Sequence, residues 1–111
     1  MNRIAMSAAA SALLRALIAR AGVCSDRILL TEVHSTDWQS LSFIGERHRL
    51  QLRITGPSST SVVERMCGGL EDAEFTIPGQ IVADINLTGQ PTASADGSTS
   101  IEIEALTVMS D

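Results

Sequence analysis

Between Arg47 and Thr55 the chain reads RHRLQLRIT, with apolar and polar side chains in unbroken alternation. His48, Leu50, Leu52 and Ile54 fall on one side; Arg47, Arg49, Gln51 and Arg53 fall on the other. A period of two predicts a β-strand with one buried and one wetted face. The segment Ile28 to Phe43, rich in β-branched and apolar residues, predicts a long partner strand. In it Val33, Leu41 and Phe43 share one parity, while Glu32, His34, Thr36 and Trp38 share the other. Ile44-Gly45-Glu46 reads as the tight turn between the two strands, with the glycine that hairpins favour. Gly56-Pro57 closes the unit, because proline cannot continue a ladder.

A helical period precedes this hairpin and another follows it. From Ile4 to Ala21, with Gly22 placed to end the helix, Met6, Ala10, Leu13, Leu14, Leu17, Ile18 and Ala21 share one face. The opposite face carries Ala5, Ala8, Ala9, Ala12, Ala16 and Ala19, bordered by Arg15 and Arg20, where a surface helix would normally show Glu and Lys. A second helix is expected to start in the cluster Ser58 to Ser61, where Ser61 and Glu64 have capping-box spacing. Its apolar face is Val62, Val63, Met66, Cys67 and Leu70, and Gly68-Gly69 weaken or end it. Phe75, Ile77, Ile81, Ala83, Ile85 and Leu87 then alternate with Thr76, Gln80, Asp84 and Asn86, with Pro78-Gly79 suggesting a bulge or an edge position. Gly89 to Ser100 is read as a polar loop turning at Asp96-Gly97. Ile101, Ile103, Leu106 and Val108 form the last strand, with a parity change near Ala105 that implies a bulge.

The order is helix, hairpin, helix, hairpin (αββαββ). Adjacent hairpins without crossovers form one antiparallel sheet, and both helices need a surface to bury. This predicts an α+β fold, a two-layer sandwich with a four-stranded antiparallel sheet and both helices on one face. It is expected to be a single domain over residues 1–111, with 1–3 and 110–111 disordered. The element order resembles that of KH-like domains and of some protease pro-domains in layout only. No Gly-x-x-Gly loop is present, so the resemblance to KH-like domains carries no function with it.

Composition narrows the classes. A chain of 111 residues, 44% hydrophobic, has material for one core without staples. Aromatics are only 3%, so that core rests on Leu, Ile, Val and Ala. A net charge of −5 argues against nucleic acid as a partner, since phosphate binding needs a basic field. The absence of Tyr and the lone Trp leave few platforms for stacking bases. No stretch approaches the roughly 20 apolar residues of a membrane span. Cys24 and Cys67 read as reduced thiols of a cytoplasmic protein. Residues 1–25 hold Arg3, Arg15 and Arg20, several serines and alanines, and no acid, a composition shared by organellar transit peptides. The reading adopted is a native first helix, whose arginines lie toward its C-terminal end and suit the helix dipole.

Candidate chemistry is sparse. The exposed sheet face is expected to display Glu32, His34 and Trp38 beside Arg49 and Arg53, with Trp38 opposite Gln51 or Arg53, where a guanidinium could cover the ring. That arrangement would suit a small anionic ligand or another protein; the bland alternative pairs the arginines with Asp84, Glu102 and Glu104. His34 and His48 fall on opposite faces and cannot share a metal, and Glu32-x-His34 is short of a full ligand set. His48 reads as a core-edge histidine. Cys67 has nothing local to lower its pKa, and the serines at 58–61 look like caps. The alanine face (Ala5, Ala8, Ala12, Ala16, Ala19) is a candidate homodimer surface, because small side chains let helices approach closely. The resulting expectation is a small cytoplasmic, non-catalytic binding or assembly module, homo-oligomeric and without a cofactor. The alternative is a small enzyme with a shallow site built from His34, Glu32, Arg49 and Arg53.

Overall fold

The computed structural model describes residues 5–110. Its elements are α1 (Ala8–Ala21), β1 (Ile28–Gln39), β2 (Ile44–Ile54), α2 (Ser59–Cys67), β3 (Gln80–Ala93) and β4 (Thr99–Met109). The strands form one antiparallel sheet in the order β1-β2-β4-β3, so β2 and β4 are central and β1 and β3 are edges. This is the α+β, αββαββ architecture expected from the sequence.

The alternation of β2 becomes the layering of the molecule. Leu50, Leu52 and Ile54 are buried, as are Ile101, Ile103 and Ala105 facing them from β4. One core cluster joins these residues to Leu13, Leu17 and Ala21 of α1 and to Val62, Val63 and Met66 of α2. Each fully buried side chain of this size stabilises the fold by about 1.5–3 kcal/mol through removal of apolar surface from water. Arg47, Arg49, Gln51 and Arg53 occupy the other face of β2.

Three arginines fasten the helix layer. Arg20 of α1 donates from Nε to the Met66 carbonyl (2.9 Å) and from Nη2 to that of Gly68 (2.7 Å). Arg65 of α2 returns the contact, donating from Nε to the Ala21 carbonyl (3.1 Å). Each helix thus satisfies carbonyls that the other leaves free at its C-terminus. Arg27 donates to the carbonyls of Thr55 (2.9 Å) and Pro57 (2.6 Å), pinning the entry to α2. Gly56 sits there at φ +86°, and a Cβ on it would lie 2.7 Å from the Arg27 Nε.

Several boundaries differ from the sequence reading. Helix α1 begins at Ala8, because Ser7 is its N-cap and its hydroxyl accepts the Ala10 N–H (3.1 Å). The expected start at Ile4 lies outside the described residues, as does any disorder of 1–3 and 111. Ser110 is tethered, donating its N–H to the Gly79 carbonyl (3.1 Å). The first hairpin turns at Ser40–Phe43, not at Ile44–Glu46. The Ser40 N–H donates to the Phe43 carbonyl (2.9 Å), and the Ser40 hydroxyl accepts the Phe43 N–H (3.1 Å). Leu41 and Phe43 therefore leave the Val33 face and point to solvent. Gly45 is a strand residue, needed because a Cβ there would lie 1.9 Å from the Thr107 carbonyl oxygen. The capping box at Ser61 and Glu64 is not what starts α2. Its N-cap, Ser58, makes no side-chain cap, while Ser59 donates to the Gly97 carbonyl (2.6 Å) and bonds the Thr99 hydroxyl (2.8 Å). In the second hairpin β3 runs on to Ala93, so the loop is shorter than expected and still turns at Asp96-Gly97. The irregularities fall on β3, at Val82/Asp84 and Thr88/Thr92, while β4 keeps strict register.

Truncating Leu52, only 1% exposed, to Ala is expected to cost about 2–5 kcal/mol in urea melts. Arg49→Ala on the opposite face should cost under about 1 kcal/mol, and equal losses would contradict this layering.

Candidate contact surface

The open face of the sheet carries the residues expected from sequence, in a different arrangement. The register sets Glu32 opposite Gln51, His34 opposite Arg49, Thr36 opposite Arg47 and Trp38 opposite Gly45. Trp38 therefore does not sit opposite Gln51 or Arg53. Eight residues of β2 separate Gly45 from Arg53, about 27 Å at roughly 3.4 Å per residue, so no single ligand pocket joins the indole to that guanidinium. Arg53 is engaged at its own end of the sheet: its Nε donates to the Ser98 hydroxyl (3.1 Å) and its Nη2 pairs with Asp96. Asp96 also accepts from the Ser98 hydroxyl (2.6 Å) and backbone N–H (3.0 Å). These Ser98 bonds, with Arg53 adding to them, hold the carboxyl at about 2.

Between the two ends the face is polar. Glu32 and His34 lie 3.4 Å apart on β1, both well exposed. Glu102 accepts from Gln51 Nε2 (3.0 Å) and Glu104 from the Thr88 hydroxyl (3.2 Å). Among the described residues Arg53–Asp96 is the arginine ion pair, and the expected pairing of arginines with Asp84, Glu102 and Glu104 is not formed. Arg49 and Arg53 are four residues apart on β2, about 14 Å at roughly 3.4 Å per residue, so the four residues of the enzymatic alternative do not converge on one cavity.

The sheet end near Trp38 has a different character. Leu41 is fully exposed, and Phe43, Ile44, Ile81 and Met109 are each more than half exposed (54%, 61%, 52% and 58%). Phe43, Ile44, Ile81 and Met109, with Ser42 and Ser110, line one open depression of about 520 Å³. It is assembled from the tip of the β1–β2 hairpin, the start of β3 and the end of β4. Trp38, half-buried, lies at the same end of the sheet, opposite Gly45 in register. The sequence reading missed this patch, having assigned Leu41 and Phe43 to the core face. The available signal was their interleaving with Ser40 and Ser42, residues that favour a turn.

On the other face His48 is buried beneath the helices. Its Nδ1 bonds the Ser35 hydroxyl (2.7 Å) and its Nε2 the Thr107 hydroxyl (2.9 Å). Glu46 stands 3.9 Å from Nε2 and accepts the Ser7 hydroxyl proton (2.8 Å), linking the histidine to the α1 N-cap. Burial lowers the His48 pKa below its ordinary 6.5, opposed by the Glu46 carboxylate. The two histidines lie on opposite faces, as their parity required. Cys67 is half-buried, and burial pushes its thiol upward while Arg20 offsets part of the effect. It is therefore not an activated nucleophile.

The alanines of α1 do not make one continuous surface. Ala5 precedes the helix, Ala8 and Ala19 are exposed, Ala12 and Ala16 are half-buried, and Ala9 is only 6% exposed. Ala12 packs against the core of its own chain. Among the described residues no helix is long and apolar enough to cross a membrane. Comparison with protein-family models, curated proteins and solved structures returns no match.

The buried histidine makes acid stability a readout of the inner network. As pH falls the unfolded chain takes up the imidazole proton before the folded one does, so stability is full above about pH 6.5 and declines below it. Urea melts between about pH 7.5 and about pH 5 should show this slope, and His48→Gln should flatten it. A slope unchanged in the variant would place the titration elsewhere.

Proposed function

We propose that the chain is a non-catalytic binding or assembly module that seats a protein partner on the Trp38 end of its open sheet face. It works in the cytoplasm, where Cys24 and Cys67 stay reduced. The observation that carries the reading is the apolar depression walled by Phe43, Ile44, Ile81 and Met109 beside Trp38. Exposed apolar residues are ordinary when scattered, but a continuous patch costs solubility and is kept where a partner covers it. The arrangement also has the layout of an interface, with an apolar centre next to a polar rim formed by Thr36, Arg47 and Arg49. Trp38 supplies a rigid, largely apolar anchor whose immobilisation costs little entropy. The enzymatic alternative would need convergent polar groups in one pocket, and His34, Glu32, Arg49 and Arg53 lie spread along the sheet.

The test begins with a photo-crosslinking side chain at position 43, which identifies the neighbour in cells. Calorimetry with the purified partner follows. Trp38→Ala, and separately Phe43→Ser with Ile81→Ser, should each weaken binding at least about 30-fold, as removal of an interface hot spot does. The Trp38→Ala fold should lose less than the roughly 3–5 kcal/mol of a fully buried aromatic. Affinity unaffected by both sets of changes would remove this surface from consideration.

A further inference from the structure

We propose that two copies of the chain pair antiparallel through the outer edges of β1, making one continuous eight-stranded sheet. The two edges of the sheet differ in how they meet solvent. Edge β3 is broken by irregularities at Val82/Asp84 and Thr88/Thr92 and contains Gly89 and Pro91. Those are devices by which natural sheets refuse a further strand. Edge β1 is 12 residues long, has no Pro, Gly, Lys or Arg, and is irregular only at Thr31. Among the described residues no strand lies along its outer side.

The occupant follows from the charges on that strand. Glu32 and His34 project from the same face two residues apart, both about half exposed. A two-fold axis at Val33 sets Glu32 against His34 of the second copy, and His34 against Glu32 of the second copy. Each imidazole can then donate a hydrogen bond to a carboxylate across the new ladder. An isologous contact needs this self-complementarity. Past Thr31, the same one-residue slip that β1 makes against β2 keeps inner residues beside inner residues. Leu30 then pairs with Ser35 of the second copy, and Leu29 with Thr36.

The helix layer fits the same axis. Helix α2 packs over β2 and β4, and α1 lies beside it. Ala5, Met6 and Ser7, which lead into α1, border one open depression with Val33, His34, Ser35 and Glu46, so the start of α1 lies near the middle of β1. Edge pairing about this axis keeps the two helix layers on the same face of the joined sheet. The lining of the apolar depression includes no residue of β1, so the dimer can be tested apart from it, although Thr36 and Trp38 of the partner site lie on the pairing strand.

The experiment exchanges the charges. Sedimentation equilibrium on the wild-type chain should give a dimer. Glu32→Arg sets arginine against histidine, and His34→Glu sets carboxylate against carboxylate, so each variant alone should dissociate at least about 10-fold more readily. Mixing the two variants restores an opposite-charge pair at both positions, and native mass spectrometry should show the mixed dimer in excess over either homodimer. Circular dichroism checks that each variant remains folded, as expected for two exposed positions. The proposal is overturned by a monomeric wild type at its highest soluble concentration. Dimers that both variants form as tightly as the wild type would overturn it as well, as would mixing that fails to restore association. Phe43→Ser with Ile81→Ser should leave the dimer intact; its loss in that variant would move the self-contact to the apolar depression.

Discussion

The strand β2 is paired along both edges, and its pleat is the constraint from which the rest of the molecule follows. A central strand cannot slip by one residue without exchanging Leu50, Leu52 and Ile54 for Arg49, Gln51 and Arg53 beneath the helices. Register against β1 on one side and β4 on the other is therefore fixed together. At Gly45, the last residue of β2 paired with β4, the backbone approaches Thr107 so closely that no side chain fits. The same residue is the register partner of Trp38 on β1.

The helices depend on a second interaction, the exchange of arginines between their ends. Helix α2 has nine residues, too few to be stable alone. Arg20 supplies the donors that its last carbonyls lack and also lies 5.9 Å over the Phe75 ring. Arg65 does the same for α1. A guanidinium can do this because its planar fork reaches two carbonyls at once, which a lysine cannot match in geometry. Arg20, read from sequence as suiting the dipole of its own helix, also satisfies the backbone of the other helix.

The layering was legible in the sequence because it rests on local periodicity. Strict alternation at 47–55 and helical spacing at Leu13, Leu17 and Ala21 survive any tertiary arrangement. The faces of Glu32, His34, Thr36 and Trp38 were likewise read from parity. What failed was what the first hairpin turn sets. Moving that turn from Ile44–Glu46 to Ser40–Phe43 lengthened β2 and took Trp38 from Gln51 or Arg53 to Gly45. The same shift carried Leu41 and Phe43 out of the core and made a surface patch of them. A turn depends on a few hydrogen bonds, such as those of Ser40 to Phe43, which several neighbouring dipeptides could have provided equally well. The bulge assigned to β4 failed for a related reason: parity reports that a ladder slips, and the slip belongs to β3, the partner strand.

Taken together, the open face divides by position along the strands. At the far end Arg53, Asp96 and Ser98 satisfy one another, and that end has little left to offer a ligand. In the middle, Gln51 and Thr88 take the carboxylates of Glu102 and Glu104, and Arg47 and Arg49 remain solvated. At the near end, large apolar groups stand in water with no helix over them. Burial of apolar area is what drives most protein association, while solvated charges chiefly steer it. On the proposed reading, the apolar hairpin end and the solvated Arg47 and Arg49 along β2 fit an acidic protein partner better than a small anion: the arginines would orient the encounter, and the hairpin end would hold what arrives.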